Sequence, residues 1–196
     1  MTTMQKIDLA SLLTLEAYAR QRPRFRAEAM AHKKNRTLHL GEHVTLLFED
    51  ELTIRYQVQE MLYAERIFDE EGISGELDAY NPLIPDGSNF KATMMIEYPD
   101  QDVRRKRLAE LIGIEDRVWL RIGGRERVYP IADEDLDREN EEKTSAVHFL
   151  RFELSKDMIR DLHRGASLSA GVDHPNYQVT LEVPPTVRDA LVKDLD

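Results

Sequence analysis

Apolar and polar residues alternate through Ala146-Val147-His148-Phe149-Leu150-Arg151-Phe152-Glu153-Leu154, which predicts a strand. Strand side chains point to alternate faces, so Ala146, His148, Leu150, Phe152 and Leu154 share one side. A histidine thus stands inside an apolar stripe. Burying its ring without a partner would cost about 1–3 kcal/mol, so the pattern predicts a partnered His148.

The longest helical signal covers residues 51–70. Ile54, Val58, Met61, Leu62 and Phe68 recur on one side, and Leu52, Tyr56, Tyr63 and Ile67 make a second strip roughly opposite. A helix apolar on two sides is expected between layers. At about 100° per residue, Glu65 falls inside the first sector and is expected to be paired or coordinating, with Arg55 or Arg151 as a candidate ion-pair partner.

Other helices are expected at 8–19 with Asp8 as N-cap, at 23–35 opened by Pro23, and at 74–80. Three more follow at 102–112, at 156–164 with Ser155 as N-cap, and at 186–195. Strands are expected at 37–40 and 44–48 across Gly41-Glu42, at 90–98, and at 117–122 with 125–131 across Gly123-Gly124. Further strands follow at 146–154, 167–172 and 177–183. Two prolines and Asp86-Gly87 make 81–89 a stiff loop, expected to serve as a lid or wall. Hairpins with helices between them point to an α+β fold. The expectation is a largely antiparallel, curved sheet packed around the long central helix, with additional N- and C-terminal helices. Residues 1–196 are expected to form one domain, with 1–36 as a helical N-terminal element.

Composition narrows the chemistry. The 196 residues contain no cysteine, which removes disulfides, thiolate zinc sites and thiol nucleophiles. A metal would have to be held by His, Asp, Glu or water. The net charge of −10 argues against general nucleic-acid binding. No apolar run reaches the roughly 18–20 residues that span a bilayer, and residues 1–10 lack a signal-peptide pattern, so a soluble cytoplasmic protein is expected. Charge is uneven: 20–36 is basic and 133–142 acidic, giving either two solvated faces that attract each other or a docking patch.

Asp133, Asp135 and Asp137 imitate a calcium loop, but Arg138 replaces its glycine and Thr144 its closing glutamate. Phosphate-loop, dinucleotide, zincin and nucleophile-elbow motifs are missing from the sequence. Whether the protein is an enzyme therefore stays open. His39 and His43 would share a face if the hairpin loop pairs them, and would oppose each other if the loop pairs Leu40 with His43. In Asp173-His174-Pro175, Asp173 either orients His174 or forms a turn that leaves the ring exposed. Lys143 either pairs with its acidic neighbours or turns inward as an anion handle. The candidate pocket is His148, Glu65, Lys143, Tyr56 and Asn81. The candidate metal ligands are His148, Glu65, His39, His43 and His174, a donor set suited to non-haem iron, manganese or zinc.

Ala31-His32-Lys33-Lys34-Asn35-Arg36, His39 through Asp50, Leu77 through Gly87 and Glu142 through Glu153 together resemble an uncharacterised bacterial family, domain of unknown function 3501, over nearly the full length. The resemblance brings no reaction and no assigned catalytic residues. It implies a context, because relatives tend to be encoded beside a rubrerythrin-like protein and an iron–sulfur protein similar to heterodisulfide reductase subunits. The expected function is a metal- or small-molecule-binding accessory protein of a redox or oxidative-stress pathway. The alternative is a non-enzymatic adaptor that docks through its charged segments onto those redox partners.

Overall fold

The computed structural model describes residues 6–196. It is an α+β chain in which every strand pairing is antiparallel. The strands are β1 (Thr37–Leu40), β2 (Val44–Phe48), β3 (Asn89–Ile96), β4 (Val118–Ile122), β5 (Arg127–Val128), β6 (Ile131–Ala132), β7 (Val147–Glu153), β8 (Leu168–His174) and β9 (Tyr177–Glu182). They divide into a five-stranded sheet, β1-β2-β3-β7-β6, and a four-stranded sheet, β5-β4-β8-β9.

Period-two alternation decides which face is buried. Leu46, Phe48, Phe90, Met94, Leu150 and Phe152 from the first sheet share one core with Val118, Leu120, Ile122, Leu168 and Ala170 from the second. The helices α4 (Gln101–Glu110), α5 (Lys156–His163) and α6 (Pro185–Val192) add Leu108, Ile159, Leu162, Val187 and Leu191 to it.

The remaining helices build a second cluster. In α2 (Glu51–Glu65), Ile54, Val58 and Leu62 meet Ile7, Ile84 and Leu77, the last from α3 (Glu70–Tyr80). The opposite strip of α2 faces α1 (Leu15–Lys34), where Tyr56 stacks on Phe25 at 6.2 Å and Tyr63 meets Tyr18 edge-on at 6.0 Å. The two-sided pattern of α2 therefore reflects burial between helices.

Several boundaries differ from expectation. Asp8 caps a single 3-10 turn, Leu9–Ser11, and Thr14 caps α1. Pro23 lies inside α1 instead of opening a new helix. Its missing backbone bond is tolerated because Tyr18, Arg22 and Phe25 on either side are anchored by Glu60, Tyr63 and Tyr56. α2 stops at Glu65, since Arg66 turns left-handed at φ 56° and Ile67 donates its N–H to the Leu62 carbonyl. Phe68, expected in the buried sector, is 80% exposed because the helical period has ended before it. The strand expected at 125–131 is split. β5 pairs with β4, Pro130 supplies no N–H to a ladder, and the chain crosses to pair β6 with β7. That crossing carries Asp133 to the middle of β7.

Candidate metal centre

His148 sits opposite Met94 in the β3–β7 ladder and is fully buried. Its Nδ1 lies 2.5 Å from Asp133 Oδ2. A carboxylate only accepts, so Nδ1 carries the hydrogen and donates it. Its Nε2 lies 2.9 Å from Thr144 Oγ1, 3.1 Å from the Ser145 carbonyl oxygen and 4.0 Å from Glu115 Oε2.

Each partner is held by local structure. Asp133 follows β6 with a left-handed φ of 50°, a conformation that aspartate tolerates better than most residues. Its N–H donates to the Phe149 carbonyl at 2.8 Å, and its Oδ1 accepts from the Phe149 N–H at 2.9 Å. Arg138 reaches the same Oδ1 at 3.1 Å, binds Asp135 at 2.5 Å, and lies over the Phe149 ring at 4.6 Å. Thr144 is buried and donates its N–H to the Leu108 carbonyl at 3.0 Å. Glu115 lies in a 3-10 turn, Ile114–Arg117, that starts after the left-handed Gly113. It is buried too, and its Oε2 has no hydrogen-bond partner among the described residues.

Burial raises the Glu115 carboxyl above the ordinary carboxylate range, and the neighbouring His148 offsets part of that rise. Once Nδ1 holds its hydrogen, the Nε2 lone pair faces a carboxylate, a carbonyl and a hydroxyl. The Thr144 hydroxyl can donate to that lone pair, whereas the Ser145 carbonyl and the Glu115 carboxylate can only accept, so a cation placed among them would satisfy both. It can be a proton on Nε2 or a metal ion, and ligand atoms from Glu115, Asp133 and His148 lie within 4.8 Å of one another. Asp133 then stands behind the ring in the manner of carboxylates that orient metal-bound histidines.

Of the candidate pocket and metal-ligand residues named from sequence, the structure brings only His148 to this cluster. Glu65 is exposed at the end of α2 and pairs with neither Arg55, which binds Glu51, nor Arg151, which binds Glu134 and Glu153. Lys143 is exposed, and the side chain that turns inward is its neighbour Thr144. Tyr56 belongs to the α1–α2 contact, with Lys33 Nζ 5.1 Å over its ring. Asn81 clamps Ile7 through two bonds of 2.9 Å.

The β1–β2 loop pairs Leu40 with Val44 and His39 with Thr45, so neither anticipated histidine arrangement forms. His39 is exposed and lies 3.1 Å from Thr45 Oγ1. His43 stacks on Tyr98 at 4.0 Å and lines an open groove of about 570 Å³ with Arg104 and Ala146. His174 is buried instead of exposed. It donates from Nε2 to the Ile112 carbonyl at 3.0 Å and accepts the Asn176 N–H on Nδ1 at 3.1 Å. Asp173 does not orient it, being held by Arg127 and Tyr129. The 81–89 loop runs into β3 where Asn89 pairs with Glu153, at the far end of the ladder from His148.

The charged segments find separate partners. Cations of 20–36 pair with Glu16, Glu28, Asp50, Glu60 and Asp194, while acids of 133–142 pair with Arg138, His148 and Arg151. Sequence reasoning weighed Asp133 and Thr144 only as parts of a rejected calcium loop and missed Glu115 altogether. The usable signal for Asp133 was Pro130, which breaks the strand just before it. Glu115 carries no comparable signal, because only the tertiary fold sets its turn against β7.

Fold and cluster together define an α+β protein of two antiparallel sheets with a buried histidine held between carboxylates. The chain belongs to the family described as protein of unknown function (DUF3501), which it matches over residues 6–195. It is similar to a novel protein of unknown function from Burkholderia pseudomallei K96243, known from a crystal structure. The two are 56% identical with a TM-score of 0.94, and the match covers 98% of this chain and 100% of that one. No curated protein matches the chain.

Proposed function

We propose that this protein binds a divalent metal ion at the Glu115–Asp133–His148 cluster. One observation carries the reading. Glu115 Oε2 is buried without a partner 4.0 Å from His148 Nε2, while Asp133 fixes the other ring nitrogen. An unpaired buried carboxylate is costly, and a cation relieves that cost. His148 Nε2 and Glu115 would be direct ligands, Thr144 and the Ser145 carbonyl would complete the shell, and Asp133 would orient the ring. Nitrogen and oxygen donors without thiolate suit iron(II), manganese(II) or zinc(II). The biological setting we attach to it, an accessory role beside rubrerythrin-like and iron–sulfur redox proteins, rests on the family resemblance alone.

Elemental analysis of protein purified without added metal, followed by calorimetric titration with manganese(II), iron(II) and zinc(II), tests the proposal. Stoichiometric uptake that is lost in Glu115→Gln and His148→Ala supports it. Protein that is metal-free as purified and gives no binding heat with any of the three ions defeats it.

A further inference from the structure

Trp119 is the chain's single tryptophan. Val118, Leu120 and Ile122 point from β4 into the core, so Trp119 and Arg121 point to the other face of the second sheet. Trp119 is nevertheless only 1% exposed. Its indole lies flat over β8 because Gly171 stands opposite it, where a Cβ would come within 2.4 Å of the ring. The guanidinium of Arg127 covers the ring at 4.1 Å, and that of Arg121 lies 5.5 Å away. Beside it is a cavity of about 310 Å³ lined by Trp119, Arg127, Asp173, Gln178, Val179 and Thr180.

Four buried side-chain atoms among the described residues lack a hydrogen-bond partner: Glu115 Oε2, Trp119 Nε1, Arg121 Nε and Asp173 Oδ1. The first belongs to the metal cluster. Of the other three, Trp119 and Asp173 line the cavity, and Arg121 lies next to Trp119 on the same face of β4. Native proteins rarely leave such groups unsatisfied, since burial has stripped them of water. Their chemistry is specific. Trp119 Nε1 and Arg121 Nε are donors. Asp173 Oδ1 is an anionic acceptor, and its companion Oδ2 is already engaged by Arg127 at 3.0 Å and Tyr129 at 2.6 Å.

We infer that this cavity binds a small zwitterion of the α-amino-acid class. Its carboxylate accepts from the Trp119 N–H, and its ammonium donates to Asp173 Oδ1; both residues line the cavity. Gln178 and Thr180, which line the same cavity, meet the remainder of the ligand. Arg127 is the movable cover. Its pair with Asp173 joins side chains about one-third exposed, a weak kind of contact, and its stack on the indole is the contact the ligand must replace when the guanidinium lifts. A ligand bearing only one of the two charges leaves either the Trp119 donor or the Asp173 acceptor unmet.

Trp119 reports on its own cavity. Its emission, together with calorimetry, is followed while glycine, L-alanine and L-glutamine are added separately, with acetate and methylammonium as half-ligands. The expected result is binding of at least one amino acid with a dissociation constant of about 10 mM or tighter, and no binding of either half-ligand at that concentration. Asp173→Asn should weaken binding by about tenfold or more. Neither heat nor emission change with any of the three amino acids, or acetate alone binding as well as they do, overturns the inference. The comparison of whole and half-ligands uses only the unaltered protein, so it stands even if a variant folds poorly.

Discussion

Asp133 and His148 are 15 residues apart, yet Asp133 Oδ2 accepts from His148 Nδ1 at 2.5 Å while Asp133 Oδ1 accepts the N–H of the next residue, Phe149. One carboxylate thus satisfies a buried ring and an adjoining backbone group. Asp133→Ala leaves both donors unmet and should destabilise the fold by about 1–3 kcal/mol, measured by urea unfolding. Asp133→Asn keeps an acceptor and should cost less stability. It should still weaken metal binding about 10–100-fold by changing how the imidazole is held. Equal stability losses in the two variants would remove the special role given to this pair.

Glu115 should show opposite effects on stability with and without metal. Burial raises its folded pKa above the unfolded value. Its contribution to stability is therefore full below the ordinary carboxylate range and is lost as pH rises through the raised value. At neutral pH without metal, Glu115→Gln should melt at or above the temperature of the parent. With manganese(II) or zinc(II) present, the parent should gain stability by mass action and the variant should not. Thermal scans with and without metal check this. A variant stabilised by metal as strongly as the parent would place the ion elsewhere.

A second buried charge network ties the C-terminus to the chain's beginning. Arg36 is buried, donates to the Phe48 and Glu49 carbonyls and to Asp194, and lies 3.4 Å from Asp50. Burial pushes the Asp194 carboxyl up to about 6, with Arg36 opposing the rise. A carboxyl raised on folding stabilises the fold fully below its ordinary value and ceases to do so as pH rises through about 6. Relative to Asp194→Asn, the parent should lose stability between about pH 4 and pH 6 and stay level above that. Arg36→Met removes the shared cation and should cost about 3–5 kcal/mol at neutral pH, where the buried acids are left uncompensated. Urea midpoints across this pH range decide both points.

Period and propensity made much of the secondary structure legible. The β7 stripe and the two-sided α2 both follow from local spacing. The candidate site was legible only at His148, because a polar ring in an apolar stripe announces a missing partner without naming it. Asp133 and Thr144 sit in a polar segment that resembles any solvated acidic run, and a strand crossing at Pro130 brings one of them inward. Glu65 misled for a different reason: it keeps the helical phase as the last residue of α2, but Arg66 turns the chain there and the helix end is left exposed.

Gly171 is the position at which packing on the second sheet is least forgiving. A Cβ there would lie 2.3 Å from the Val179 carbonyl oxygen and 2.4 Å from the Trp119 ring. Backbone cannot yield as a flexible side chain can, so Gly171→Ala must part β8 from β9, and it lifts the indole as well unless that movement also carries the new methyl off the ring. Overpacking of this kind costs about 1–3 kcal/mol. Lifting the indole would also break the Arg127 stack and expose the ring to water. The expected signature is a lower urea midpoint together with red-shifted, more readily quenched Trp119 emission, while metal binding at Glu115 and His148, which lie outside this sheet, is unchanged. Parent-like emission in a destabilised variant would show that the strands had parted and the indole had stayed in place.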